Sequence, residues 1–205
     1  MTLVTDPASS TGSHFYFIRH GETEWSLSQR HTGRTDIPLT AHGEEQARAV
    51  GVRLSDIGFS SVLTSPRQRA RRTCELALLT PLAQIEPDLA EWDYGAYEGQ
   101  TTVEIWQYRP GWNLFRDGCP GGEIPAQVSD RADRVIASLG DARGNIALFS
   151  HGQFGCVLAA RWIGMPVIEG QHFLIGAASL SILGYNPSHP EVRVISSWND
   201  APVMR

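Results

Sequence analysis

The chain has 205 residues, 41% hydrophobic and 19% charged, with a formal net charge of −5. That length suits one domain with a sizeable core. The acidic balance argues against nucleic acid or an anionic membrane as the main partner, so any anion-binding role must come from a local basic cluster.

Met1 to Ser13 is polar and small and lacks the basic start and apolar run of a signal peptide. It reads as a flexible tail, 1–13, ahead of a single domain, 14–205. No apolar stretch approaches a membrane span, and the expected compartment is cytoplasmic. Cys74, Cys119 and Cys156 form no CxxC pair, so neither a disulfide framework nor a zinc site is indicated.

Phe15-Tyr16-Phe17-Ile18 reads as a buried parallel strand that runs into Arg19-His20-Gly21. Thr40 can cap a helix with Ala47, Val50, Leu54 and Ile57 on its apolar face, ended by Gly58. Ser61 to Thr64 is a short strand. Ser65-Pro66 then starts a second helix carrying Arg67, Arg69, Arg71 and Arg72, stopped by Pro81. A short strand is expected around Gln84 to Glu86. The stretch from Trp92 to Gly122 is rich in glycine, proline and aromatics, with one helix near Val103 to Tyr108. It reads as a lid insertion over a site. A helix follows from about Glu123 to Leu139. Asn145 to Phe149 is a second apolar strand, ending in Ser150-His151-Gly152. A helix from about Gln153 to Ile163 and strands at Ser179 to Leu183 and Val192 to Ile195 complete the chain. Strands alternating with amphipathic helices predict a three-layer α/β/α sandwich with a mainly parallel sheet.

In such a sheet the carboxyl ends of the strands gather on one side, where ligands bind. Arg19-His20, the helix start at Ser65 to Arg72, Glu91 and His151 all follow predicted strands, so they can converge on one crevice. Phosphoryl transfer suits this set. Guanidinium forks and a helix N-terminus hold a phosphate dianion. A neutral imidazole can attack phosphorus, a second can hold an equatorial oxygen, and a carboxylic acid can protonate the leaving oxygen. The cations supply the charge stabilisation, so neither metal nor cofactor is called for. The chain has no P-loop, no DxDxD-type carboxylate cluster and no Cys-x5-Arg cradle. Arg67, Arg71 and Arg72 read as solvated helix residues. On spacing alone Arg69 is either a clamp or one more of these. Trp92, Tyr94, Tyr97, Trp112 and Phe115 read equally as lid packing or as a substrate wall.

These pieces resemble the histidine phosphatase superfamily, in the branch that includes phosphoglycerate mutases. Five stretches match in order: Arg19-His20-Gly21-Glu22-Thr23, Thr32-Gly33 with Asp36 to Thr40, Ser65 to Ala70, Leu89 to Gly99, and Ser150-His151-Gly152. The resemblance implies a phosphoglycerate mutase-like fold. It makes His20 the phosphorylated nucleophile, Glu91 the proton donor, and Arg19, Arg69 and His151 the phosphoryl clamps. The substrate contacts it implies fall on Gly21, Ser26, Thr32, Gly33, Tyr94, Gly152 and Gln153, with Arg116 or Arg109 as candidates for a second anionic group.

Ser26 stands where many relatives have asparagine, and Gln153 where the motif often has glycine. Gln100-Thr101-Thr102-Val103 stands where mutases place lysine and, further on, paired arginines. A lid short of cations points to a metal-independent phosphatase. The runs around Trp25 to Gly33 and Trp112 to Cys119 resemble the branch with sedoheptulose bisphosphatase and small bacterial acid phosphatases. The expected ligand is thus a small phosphorylated metabolite of the sugar phosphate class. The alternatives are a bisphosphate-primed phosphoglycerate mutase and a non-catalytic phospho-ligand binder. Exposed aromatics leave a homodimer open. The expected pH profile is bell-shaped, peaking at or below neutrality.

Overall fold

The computed structural model describes residues 12–78, 83–140 and 142–201. Most of the expected tail and Pro81 lie outside the described residues.

Six strands form one sheet: β1 (Phe15–Arg19), β2 (Phe59–Thr64), β3 (Ala83–Ile85), β4 (Asn145–Ser150), β5 (Leu180–Asn186) and β6 (His189–Asp200), in the order β3-β2-β4-β1-β5-β6. The first four in that order are mutually parallel, and β5 and β6 are antiparallel additions at one side. The sheet is therefore mainly parallel but mixed.

The helices are α1 (Glu24–Leu27), α2 (Ala41–Leu54), α3 (Gln68–Leu78), α4 (Thr102–Trp106), α5 (Leu114–Asp117), α6 (Pro125–Gly140) and α7 (Gly152–Trp162). The strands' own alternation divides them into two layers. Phe15, Phe17, Ile146 and Leu148 enter one core with Val128, Ala132 and Val135 of α6 and Phe154, Val157 and Leu158 of α7. Ile18, Ala147 and Phe149 enter the other with Val50 and Leu54 of α2 and Cys74 and Ala77 of α3.

Helix starts follow local chemistry. The Thr40 hydroxyl accepts the Gly43 N–H at 2.9 Å at the head of α2. Thr101 and Glu104 form a reciprocal capping box on α4. The helix after Ser65-Pro66 begins at Gln68, later than the proline suggests.

The segment from Trp92 to Gly122 is no open flap. Trp92, Tyr94, Tyr97, Trp112 and Phe115 are all buried and belong to the larger core. Indole Nε1 of Trp92 donates to the Glu123 carbonyl at 3.0 Å, and that of Trp112 to the Gly118 carbonyl at 2.8 Å. The aromatics are packing first, and Tyr94 alone of the five also faces the cavity described below.

Candidate active site

Three parallel strands deliver the chemistry to one edge. Arg19 pairs with Ser150 across β1 and β4. The His20 N–H donates to the Ser150 carbonyl at 3.0 Å, and the Ser65 N–H to the Phe149 carbonyl at 2.9 Å. These bonds bring together residues 20, 65 and 151 just past the carboxyl ends of β1, β2 and β4, as open α/β sheets do.

The rings of His20 and His151 lie 5.2 Å apart, edge to face. Both side chains are buried. His20 Nδ1 is 2.7 Å from the Gly21 carbonyl oxygen. A carbonyl only accepts, so Nδ1 carries the proton and Nε2 keeps a lone pair. Burial first, then the charges of Arg69 and Arg19, hold His20 well below its ordinary pKa, so the ring is neutral. His151 is lowered in the same way, by burial and then by Arg69 and His20.

Arg19 donates from Nη1 to the Ile175 carbonyl at 2.6 Å. Arg69 is fully buried beneath the site, its terminal nitrogens donating to the carbonyls of Thr32, Gly33 and Thr35 at 2.8, 3.1 and 3.1 Å. Burial lowers the pKa of both guanidines, and Glu91 when ionised opposes that effect at each.

Among the described residues, the buried side-chain nitrogens and oxygens without a hydrogen-bond partner are Arg19 Nε, Arg67 Nε, Arg69 Nε and His151 Nδ1. The fourth belongs to the imidazole pair, and the charges of all three arginines act on that ring. Buried polar atoms are paired in nearly every folded protein, so a cluster of orphans marks a place for a ligand. Three of them are N–H groups of cations, and the ligand they suit is an anion.

Glu91 sits at the N-terminus of α7. Its Oε1 accepts the N–H groups of Trp92 at 2.9 Å and Phe154 at 2.8 Å, and its Oε2 accepts that of Gln153 at 3.0 Å. Oε1 thus accepts two N–H groups, and Oε2, with one, keeps a free lone pair.

A cavity of about 350 Å³ opens over these groups, lined by Arg19, His20, Thr23, Ser26, Thr32, Glu91, Tyr94, Gly152 and Gln153 among others. The lining also includes Gln29, Arg30, His31, Thr102, Phe173, Leu174 and Ile175. Arg69 and His151 lie under the floor, outside this lining. Tyr94 stacks on His31 with ring centroids 4.7 Å apart, and burial pushes its hydroxyl well above the ordinary phenol pKa, so it stays protonated.

Several expected contacts fall elsewhere. Arg116 is exposed and clasps Asp117 at 2.9 and 2.8 Å, away from the cavity. Arg109 donates to the Tyr97 hydroxyl at 3.2 Å. Gly33 faces Glu98, which accepts its N–H at 2.9 Å, and Gly21 donates its N–H to Thr73 Oγ1 at 3.0 Å. Neither glycine lines the cavity. Ser26 does, but its hydroxyl proton is given to the Thr23 carbonyl at 2.9 Å, within the cap of α1. Arg67 is not the solvated residue its helix position suggests, because its Nε is buried.

Residues 15–200 match the family described as "Histidine phosphatase superfamily (branch 1)".

The chain belongs to the histidine phosphatase superfamily.

Within it the chain is 41% identical over 182 residues to an acid phosphatase of Mycobacterium tuberculosis, covering 87% of this chain and 89% of that protein. It is 37% identical over 183 residues to sedoheptulose 1,7-bisphosphatase of Saccharomyces cerevisiae, covering 73% and 67%. The solved structure of an open reading frame product from Mycobacterium tuberculosis superposes with a TM-score of 0.87 at 37% identity, over 93% of this chain and 99% of that one. This histidine phosphatase superfamily member is an enzyme of the phosphatase class, with the expected α/β fold.

Proposed function

We propose that the chain hydrolyses small phosphate monoesters of the sugar phosphate class through a phosphohistidine on His20. The observation that carries this is the cluster of buried, unpartnered nitrogens around a histidine whose Nε2 lone pair is free. In the first step Nε2 of His20 attacks phosphorus and the ester P–O bond breaks. Arg19, Arg69 and His151 hold the phosphoryl oxygens, and Glu91 gives its proton to the leaving alcohol oxygen. In the second step Glu91, now a carboxylate, takes a proton from water as that water attacks phosphorus. The N–P bond breaks, inorganic phosphate leaves, and His20 and Glu91 return to their starting forms.

The lining favours hydrolysis over transfer between two phosphorylated sites. The arginines that line the cavity are Arg19, at the phosphoryl end, and Arg30, which already donates to the Gly99 carbonyl at 2.6 Å and lies 3.4 Å from Glu104. A second phosphate therefore meets one partly compensated cation.

Quenching the enzyme in mid-turnover with 32P-labelled substrate tests the reading. The protein should carry acid-labile, alkali-stable label, and His20→Ala should carry none while losing at least about 10³-fold in kcat. Full turnover by His20→Ala would overturn it.

A further inference from the structure

Ser65 has no part in the steps above, yet it is fully buried against the second histidine. It follows β2, and its backbone bond to Phe149 of β4 seats its side chain beside His151. Its Oγ lies 2.7 Å from His151 Nε2 and also accepts the Arg67 N–H at 3.3 Å.

Two proton patterns fit the contact with His151. If Nε2–H donates to Oγ, the Ser65 hydroxyl proton has no acceptor among the described residues, and Nδ1 presents a bare lone pair. Two buried sites are then unmet. If the Ser65 O–H donates to Nε2, the hydroxyl is satisfied on both sides and the proton of the ring is on Nδ1. The sole unmet group of the pair is then an N–H, of the same kind as the unmet N–H groups of Arg19, Arg67 and Arg69. The second pattern leaves fewer orphans, and all of them are donors.

The choice matters because the ring is neutral, held so by burial and by Arg69. A neutral imidazole has one N–H to give. Directed at a phosphoryl oxygen it attracts, whereas a lone pair there repels.

We infer that Ser65 is a positioning residue that locks His151 in the Nδ1–H tautomer, so that a neutral ring donates to the transferring phosphoryl group. This rests on the phosphoryl-transfer reading of the site.

Long-range 1H–15N correlation spectra of the 15N-labelled full chain, with His151→Gln to assign the signals, report the tautomer directly. His151 should show the Nδ1–H form in the wild-type protein and a mixture in Ser65→Ala. With p-nitrophenyl phosphate, Ser65→Ala should lose at least about tenfold in kcat with a smaller change in KM, as expected when a catalytic imidazole is in the wrong tautomer. An Nε2–H signal in the wild-type protein overturns the inference, as does a kcat loss below about tenfold in a folded Ser65→Ala. If the variant does not fold, the wild-type spectrum decides alone. A wild-type enzyme with no turnover and no phosphohistidine would sink the hydrolase reading and leave the tautomer result standing separately.

Discussion

Gly21 and Gly43 meet backbone to backbone. A Cβ on Gly21 would lie 2.3 Å from the Gly43 carbonyl oxygen, and one on Gly43 would lie 2.2 Å from that of Glu22. The turn that carries His20 is thereby seated directly on the first turn of α2. Gly43→Ala should cost about 1–3 kcal/mol of stability by overpacking, and it should lower kcat because the turn must shift. Urea unfolding and steady-state rates check this. An unchanged midpoint with full activity would show that the contact is slack.

Glu91 is held by three backbone N–H groups, so its removal should act on proton transfer more than on binding. Glu91→Ala should slow alkyl phosphates by about 10²–10⁴-fold. p-Nitrophenyl phosphate, whose leaving group needs no proton, should still give a burst of p-nitrophenol at the first turnover. Loss of that burst together with steady turnover would assign Glu91 another role.

Two buried histidines and one half-buried one have lowered pKa values. His20 and His151 lie well below 6.5, and His31 is held at about 4, mainly by burial. Above pH 6.5 both folded and unfolded chains keep these rings neutral, and stability does not depend on them. As pH falls from there, the unfolded chain binds protons that the folded one refuses. Stability should drop by up to about 1.4 kcal/mol per pH unit for each ring. For His31 the drop ends near pH 4, where the folded ring itself titrates. Tm measured from pH 7 to 5 should decline, and a flat Tm would contradict the burial of these rings. In the same range kcat should show no acid limb centred at 6.5, because His20 remains a free base.

Arg30, in the cavity lining, is paired with Glu104 at 3.4 Å. Glu104→Gln keeps the capping box on α4, since glutamine serves at that position, but removes the counter-charge. It should raise kcat/KM for fructose 1,6-bisphosphate relative to fructose 6-phosphate by about two- to fivefold, the worth of an exposed ion pair. An unchanged ratio would mean that Arg30 does not face the second phosphate.

The sheet was legible wherever a strand is buried on both faces. Phe15 to Ile18 and Asn145 to Phe149 are apolar runs because α2 and α3 cover one side and α6 and α7 the other. The antiparallel pairing of β5 and β6 was not legible, since pairing direction leaves no mark on a short apolar run. The placing of Arg19, His20 and His151 together at strand ends could be read from their neighbours. The wall at Phe173 to Ile175 and the place of Arg30 and His31 in the lining depend on how loops fold back, and no local pattern encodes that. Arg116 misled because a lone arginine near a lid resembles an anion contact, while Asp117 beside it in sequence already satisfies it. Ser65 was recognisable as the residue before a helix, but its contact with His151 crosses 86 positions.

β1 lies between β4 and β5, both of which follow it by more than a hundred positions. A chain emerging from the ribosome therefore carries His20 from the outset with nothing beside it in the sheet. The anion hole can close only when synthesis is nearly complete. Phosphate analogues should accordingly bind full-length chains and ignore stalled ones that end before residue 145.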